Sequence, residues 1–270
     1  MIPILLRELK CNRRSVILWA LSLGLLILLV LGIYPSFVEN GGAAADFERY
    51  LEAFPQGFKR VFGMDRLAIF DPVGFFAVEM YVIVTLFGGI FAAMLGAGLL
   101  AKEEDEKTVE FLLAKPVTRG VVVTSKVLSM VAGVLLFNLL LAAATLAGFE
   151  GFVKEEYNRS ALLWLLAAPV LVHLVFGAGG FLISLFFVRR RSAVSGSIAV
   201  VLMLYFFDVV AVLSERLRFL EYFSPFRYIR AADIVSAGSL RAEYALGLLA
   251  AFAVMVGATY LLYGRRDILV

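Results

Sequence analysis

The sequence predicts an all-α membrane protein with six transmembrane helices. Of its 270 residues, 62% are hydrophobic and only 17% are charged, and the mean hydropathy is +0.92. Soluble domains are about half apolar and about a quarter charged, so a soluble fold is excluded. The apolar residues are also gathered into long stretches with almost no charge, which is the pattern of segments that cross a bilayer.

Six stretches are long enough to cross a bilayer as helices. The hydrocarbon core is about 30 Å thick and needs roughly 20 apolar residues per helix. Lipid offers the backbone no hydrogen-bond partner, and stretches this long and continuous do not resemble the short alternating strands of a barrel. We predict a single domain over residues 1–270, with spans at residues 15–38, 73–101, 120–149, 160–188, 192–214 and 243–264.

Basic residues favour one side of this arrangement. They cluster before span one, between spans two and three, after span four and after span six. With Lys126 counted, they outnumber acidic residues on that side by 14 to 7. On the other side, acidic residues outnumber basic ones by 13 to 11. Because positively charged loops stay in the cytoplasm, we expect both termini to be cytoplasmic.

The chain before the first span predicts a short interfacial helix. Ile2, Leu5, Leu6 and Leu9 recur at helical spacing, and basic residues occupy another face. That pattern is typical of helices that lie on a membrane surface. A frayed basic end that only orients the first span is the alternative. A signal peptide is not expected, because the apolar run exceeds the roughly 7 to 15 residues of a signal core.

Two carboxylates interrupt the predicted spans, Glu79 in span two and Asp208 in span five. At 1.5 Å per residue, both lie roughly 9 Å below the outer surface, so they could share a polar vestibule. The alternative is that each is protonated or bonded to a neighbouring helix. His173, near the middle of span four, is expected to be a packed core residue rather than a pH sensor.

Small residues recur every four positions in two of the spans. Gly88, Ala92 and Gly96 do so in span two, and Gly180 and Ser184 in span four. This spacing lets helix backbones approach closely. We expect it to serve packing within the chain rather than contact with another subunit.

The loop between spans two and three, residues 102–119, predicts a short amphipathic helix. Acidic residues crowd its start, where they favour a helix N-terminus, and Pro116 ends the pattern. An apolar stripe follows at helical spacing, formed by Val109, Leu112, Leu113 and Pro116. Something must cover one face of such a helix. The bundle itself or the lipid surface would suffice.

Residues of this loop resemble a motif of ABC-2-type ABC transporter permeases, E-x-E-x-G-T-x-E-x-L-L-x-x-P-x-x-R, which follows their second span. Here the acidic pair is shifted by one residue and Lys107 stands in place of the glycine. Residues 224–228, Ser-Pro-Phe-Arg-Tyr, are similar to the S-P-F-x-Y segment between spans five and six of that family. The matching loop residues are Glu103, Glu104, Thr108, Glu110, Leu112, Leu113, Pro116 and Arg119.

The resemblance implies the permease subunit of an ABC exporter in a prokaryotic cytoplasmic membrane. In that family the loop forms a coupling helix that docks on a separate ATP-binding subunit. The sequence lacks a G-x-x-x-x-G-K-[ST] loop, so ATP and Mg²⁺ are expected on the partner and no cofactor in this chain. Family members pair two permeases, as a homodimer or a heterodimer. Their spans two and five line the transport path, which makes Glu79 and Asp208 candidate path residues.

Other functions fit the residues less well. One histidine and one cysteine, Cys11, do not make a multi-histidine metal site. Charge is not gathered on one basic face, so nucleic acid is not an expected partner. Glu103 and Glu104 resemble the paired glutamates of membrane-embedded CAAX-type proteases, but those lie at membrane depth, so we expect no enzyme. An ATP-independent secondary carrier is the remaining alternative, although no convincing inverted repeat is present.

Overall fold

The computed structural model describes residues 1–39, 54–105 and 118–265. Within these ranges the chain is helical almost throughout and contains no strand. Six of the described helices are long and apolar enough to cross a membrane. The predicted fold class, an all-α membrane protein with six spans, is confirmed.

The α-helices of the described ranges are numbered here in chain order. They are α1 (Ile2–Glu39), α2 (Gln56–Phe62), α3 (Pro72–Glu79), α4 (Tyr81–Asp105), α5 (Arg119–Phe152), α6 (Arg159–Ile183), α7 (Arg190–Leu213), α8 (Ala231–Ala237) and α9 (Ala242–Arg265). Short 3₁₀ helices lie at Ser184–Phe186, Glu215–Phe223 and Pro225–Ile229. The six spans are α1, α4, α5, α6, α7 and α9.

The separate interfacial helix predicted at the N-terminus is not confirmed. α1 runs unbroken from Ile2 to Glu39, because no glycine or proline stands between Ile4 and Leu23 to end it. Its 38 residues extend over about 57 Å, well beyond a bilayer core. We call the end of the bundle that holds Glu8 the basic end.

The predicted second span is divided at Met80, which separates α3 from α4. Main-chain hydrogen bonds from Met80 to Phe76 and from Val84 to Met80 cross the division. The disturbance is thus confined to one turn. The side chain of Asp71 caps the start of α3 by accepting a hydrogen bond from the N–H of Gly74, at 2.9 Å.

α4 lies at the centre of the bundle. It packs against α6 and α7, while α1 lies along α5, and α9 lies along α6. Most side chains of α4 are buried, whereas those of α7 and α9 are mostly part-exposed or exposed. α7 and α9 are therefore peripheral helices of the single chain, and lipid or another chain must cover them in a membrane.

Small residues bring α4 and α6 into close contact. A Cβ atom on Gly96 would lie 2.0 Å from the carbonyl oxygen of Gly177, and one on Gly180 would lie 2.2 Å from that of Ala93. Neither position has room for a side chain. The prediction that these small residues serve packing within the chain is confirmed.

Candidate functional site

Three charged side chains from three helices meet inside the basic end. Glu8 of α1 accepts a hydrogen bond from Nζ of Lys102 on α4 at 2.5 Å, and its other oxygen lies 3.5 Å from Nζ of Lys126 on α5. Glu8 and Lys126 are fully buried. Lys126 also donates to the carbonyl of Leu99 near the end of α4. One carboxylate thus serves two lysines, and hydrogen bonds compensate for the burial of these charges.

This cluster lies at the base of the loop that the sequence predicts to be a coupling helix. Lys102 is in the last turn of α4, and Lys126 is near the start of α5. Glu103 and Glu104 also belong to the last turn of α4. The other predicted contact residues before Arg119 lie outside the described residues, namely Thr108, Glu110, Leu112, Leu113 and Pro116. Their contact with a partner stays a prediction.

Arg119, the last residue of the predicted contact, is the first residue of α5. Its Nη1 atom donates to the carbonyl oxygens of Tyr263, at 3.3 Å, and Gly264, at 3.2 Å. These carbonyls belong to the last turn of α9. Thr118 caps the same end of α5, because its Oγ1 accepts a hydrogen bond from the N–H of Val121 at 3.3 Å.

A second polar centre lies in the middle of the bundle, around His173 of α6. Nδ1 of His173 lies 3.0 Å from Oδ1 of Asn138 on α5, and Nε2 lies 3.3 Å from the carbonyl oxygen of Thr85 on α4. His173 is fully buried. Gly88 faces the ring, and a Cβ there would lie 2.3 Å from Cε1 of the imidazole. The histidine is packed and ties three spans together, as the sequence predicts.

A third polar centre lies at the opposite end of the bundle, around Arg230. Its Nη2 atom donates to Oδ1 of Asp208 on α7, at 2.6 Å, and to Oε2 of Glu221, at 3.1 Å. Arg227 and Arg218 also face Glu221, at 3.1 and 3.6 Å. The side chain of Glu221 is only 5% exposed. Three guanidinium groups thus surround two carboxylates, and the ion pairs join α7 to the segment that follows it.

The side chain of Arg230 is held in its positively charged form by its surroundings. Burial lowers its pKa, but attraction to Asp208 and Glu221 and hydrogen bonds to both raise it more, so its pKa lies above the ordinary arginine value. Arg230 therefore stays charged at every physiological pH. Asp208 has a permanent cationic partner within the chain, which favours the predicted alternative of a carboxylate bonded to its neighbour.

A cavity of about 350 Å³ lies beside this ion network. It opens between the outer parts of α4 and α7 and the segments around α2 and residues 215–232. Asp208 lines it, whereas Glu79 does not. The Glu79 side chain is exposed on the surface of the chain, so the two carboxylates do not share this cavity. Whether either contacts a transported molecule stays a prediction. Charged and tyrosine side chains of the lining include Arg60, Arg66, Tyr81, Tyr205, Asp208 and Arg230.

The Ser-Pro-Phe-Arg-Tyr segment anchors this end of the molecule. Phe226 is buried, with its ring 5.2 Å from Phe176 of α6 and 5.6 Å from Tyr205 of α7. The guanidinium of Arg227 lies 3.9 Å from the ring centre of Tyr222. Tyr81 of α4 donates to the carbonyl of Ile229 at 2.8 Å. The segment is thus a fixed part of the bundle and a wall of the cavity.

Two residues that organise these centres, Glu8 and Arg230, were not predicted from the sequence. Glu8 is the one acidic residue among the first 38, and that isolation in a basic helix was the available signal. Arg230 carries no comparable signal. It stands 22 residues after Asp208 among several other arginines, and only the folded structure shows that Arg230 is the one that bonds Asp208.

Comparison with protein families gives a match over almost the entire chain. The sequence model of a family described as "ABC-2 family transporter protein" matches residues 2–268, almost the entire chain. No curated protein matches the chain significantly.

Proposed function

The chain belongs to the ABC-2 family of transporter proteins, and on this premise we propose that it is the membrane-spanning subunit of an ATP-driven exporter. Family membership makes it the permease component of an ABC transporter, not itself an enzyme, and implies an ATP-binding partner. The partner would hold ATP and Mg²⁺ and would hydrolyse the nucleotide.

The observation that carries the proposal is the charge cluster at the base of the loop. Residues 106–117 join the end of α4 to the start of α5. On either side of this loop, Lys102 and Lys126 share the carboxylate of Glu8, and Lys126 also bonds the carbonyl of Leu99. A partner that pushed on the loop would meet two helix ends already joined to each other and to α1. Helix ends that are connected in this way suit the transfer of movement from the loop into the spans, because little of the movement would be lost in local bending of the helix ends.

The proposed contact runs over residues 103–119. Glu103, Glu104, Thr108 and Glu110 would form its acidic side, and Leu112, Leu113 and Pro116 its apolar side. An acidic and apolar surface on an otherwise basic face of the protein is distinctive enough for specific docking. The basic end would then be cytoplasmic, with both termini on that side of a prokaryotic cytoplasmic membrane.

Pairing with a second permease, identical or related, is part of the proposal. Glu79 supports it. Its side chain is exposed at the last residue of α3, and a carboxylate at membrane depth is costly, on insertion scales about 2.5 to 3.5 kcal/mol, unless protein or water covers it. A second permease would provide such cover. The transport path would then run along the surfaces of α4 and α7, with Asp208 and Glu79 near its outer part.

A co-purification experiment tests the partner and the contact together. The tagged chain would be isolated from its native membrane in mild detergent as the wild type, as Leu113→Arg and as Leu113→Met. We expect an ATP-binding subunit with the wild type and with Leu113→Met, which keeps an apolar side chain of similar size, and its loss from Leu113→Arg. Hydrolysis of ATP by the isolated complex should stop when EDTA removes Mg²⁺.

Two results would contradict the proposal. If no ATP-binding subunit accompanies an intact, folded wild-type chain, the permease function itself is wrong, and a secondary carrier becomes the better explanation. If Leu113→Arg keeps its partner, the permease function stands but the docking surface lies elsewhere.

A further inference from the structure

The last span, α9, lies along α6, and most of its fully buried side chains are near its basic end. Of its 24 residues, only Leu248, Thr259 and Tyr263 are buried, and two of these lie in the last two turns. Tyr263 belongs to the same buried cluster as Leu99 and Val123. Elsewhere α9 presents exposed side chains such as Leu246 and Val254. The final turns of α9 therefore pack against the end of the bundle that holds the start of α5.

Polar bonds reinforce this attachment, and those among the described residues come from the first two turns of α5. Arg119 donates to the carbonyls of Tyr263 and Gly264, and Oγ1 of Thr124 lies 2.7 Å from the hydroxyl oxygen of Tyr260. The last carbonyls of a helix lack partners within the helix and carry its negative dipole end. A guanidinium suits that position because it supplies both donors and positive charge.

Arg119 also stands immediately next to the loop. It is the first residue of α5 and follows Thr118, which caps that helix. Residues 106–117 end just before this cap. Any displacement of the loop that reaches α5 must therefore pass through Arg119, whose side chain is bonded to another span.

We propose that Arg119 is a positioning residue that carries movement of the loop into α9, rather than a residue whose main role is to contact the ATP-binding subunit. The inference rests on the proposed function, since it needs a partner that moves the loop. The proposal adds α9 to α4 and α5 as spans that movement of the loop would drive directly. α4 and α5 receive the movement through the main chain, and α9 receives it through two hydrogen bonds from one side chain.

The test uses the complex of the full chain with its co-purified ATP-binding subunit. Exposed Cys11 is replaced by serine, and a single spin label is attached through Gly247→Cys on α9 or Gly151→Cys on α5. No other atom lies within 4 Å of a Cβ at either glycine, so the labels should be tolerated. Label spectra are compared without nucleotide and after trapping with ATP and vanadate, for wild-type Arg119, Arg119→Lys and Arg119→Leu.

We expect both labels to respond to nucleotide in the wild type. In Arg119→Leu the Gly151 label should still respond and the Gly247 label should lose its response, while the ATP-binding subunit stays bound. Arg119→Lys should restore part of the Gly247 response, because a lysine keeps the positive charge and the donors but lacks the planar, preorganised guanidinium group. Arg159→Leu is the matched control. Arg159 is likewise the first residue of a span, α6, but is exposed and lies 4.0 Å from Glu150, so both label responses should survive.

Three results would overturn the inference. The first is an unchanged Gly247 response in Arg119→Leu, and the second is a wild-type complex in which the Gly247 label does not respond. The third is loss of the ATP-binding subunit from Arg119→Leu, because Arg119 would then be a docking residue. Failure of the proposed function has a different signature, since no ATP-binding subunit would then accompany even the wild type.

Discussion

The carboxylate of Glu8, near the start of the chain, lies 2.5 Å from the ammonium group of Lys102, 94 positions later in the sequence. The pair fixes the first turns of α1 to the last turn of α4, directly at the base of the proposed coupling loop. Lys126 shares the same carboxylate from the other side of that loop. The stability of this end of the bundle should therefore depend on one acidic side chain.

Substitution of Glu8 tests this dependence. Glu8→Gln removes the carboxylate that faces buried Lys126 and Lys102, and we expect a loss of about 3 kcal/mol in the free energy of unfolding, measured by denaturation in detergent. The double variant Glu8→Gln with Lys126→Met should recover part of that loss. Glu243→Gln, which breaks an exposed pair with Arg241, should change stability by less than about 1 kcal/mol. Equal effects of Glu8→Gln and Glu243→Gln would show that the cluster is not structural.

Arg230 should matter more to stability than Asp208, although the two are bonded to each other. Arg230→Leu leaves both Asp208 and Glu221 without that cation, whereas Asp208→Asn leaves Arg230 paired with Glu221. We expect losses of about 3 kcal/mol and about 1 kcal/mol, respectively, in detergent denaturation. The reverse order would mean that Asp208 is stabilised by a group other than Arg230.

The close packing of α4 and α6 predicts an asymmetric response to alanine substitution at glycine. Gly96→Ala would place a methyl group 2.0 Å from the Gly177 carbonyl, so the helices must separate, and a loss of about 3 kcal/mol is expected. Gly247→Ala has open space around it and should gain up to about 1 kcal/mol from helix propensity. Thermal unfolding of the two variants checks this. A tolerated Gly96→Ala would contradict the contact.

The bonds of His173 predict a coupled effect with Asn138. His173→Leu leaves the Asn138 side-chain oxygen buried without its partner and should cost about 1 to 3 kcal/mol. The double variant His173→Leu with Asn138→Leu removes both polar groups and should be less destabilised than the sum of the single variants. A double-mutant cycle on unfolding free energies measures the coupling. Simple additivity would show that the 3.0 Å contact contributes nothing.

Several local features were predictable because their causes are local. The spans follow from the length of apolar runs, so the boundaries of α9, at Ala242 and Arg265, fall within one residue of the prediction. Gly96 and Gly180 each belong to a set of small residues spaced by four within a span, and helical periodicity makes such a set readable from the sequence. A separate interfacial helix is not confirmed, because periodicity describes a face of a helix but not where the helix ends. Nothing between Ile4 and Leu23 stops α1.

The partners of charged residues were not predictable in the same way. Asp208 is identifiable from sequence as a carboxylate at membrane depth, but four arginines stand between residues 215 and 241, and no local rule selects Arg230 among them. Glu79 and Asp208 were predicted at equal depth. Depth along a helix follows from residue count, whereas the direction of a side chain depends on which neighbour the helix packs against.

By itself the sequence determined the class of the protein, the number of its spans, the polarity of its loops and, through the loop motif, its resemblance to ABC-2 permeases. These features depend on how each segment interacts with water and lipid, which composition fixes segment by segment. The tertiary structure alone decided that Glu8 lies between two lysines, that Arg230 holds Asp208, and that Arg119 bonds the end of α9. Each of these pairs joins distant parts of the chain, and such contacts exist only once packing has set the rotation and register of every helix against its neighbours.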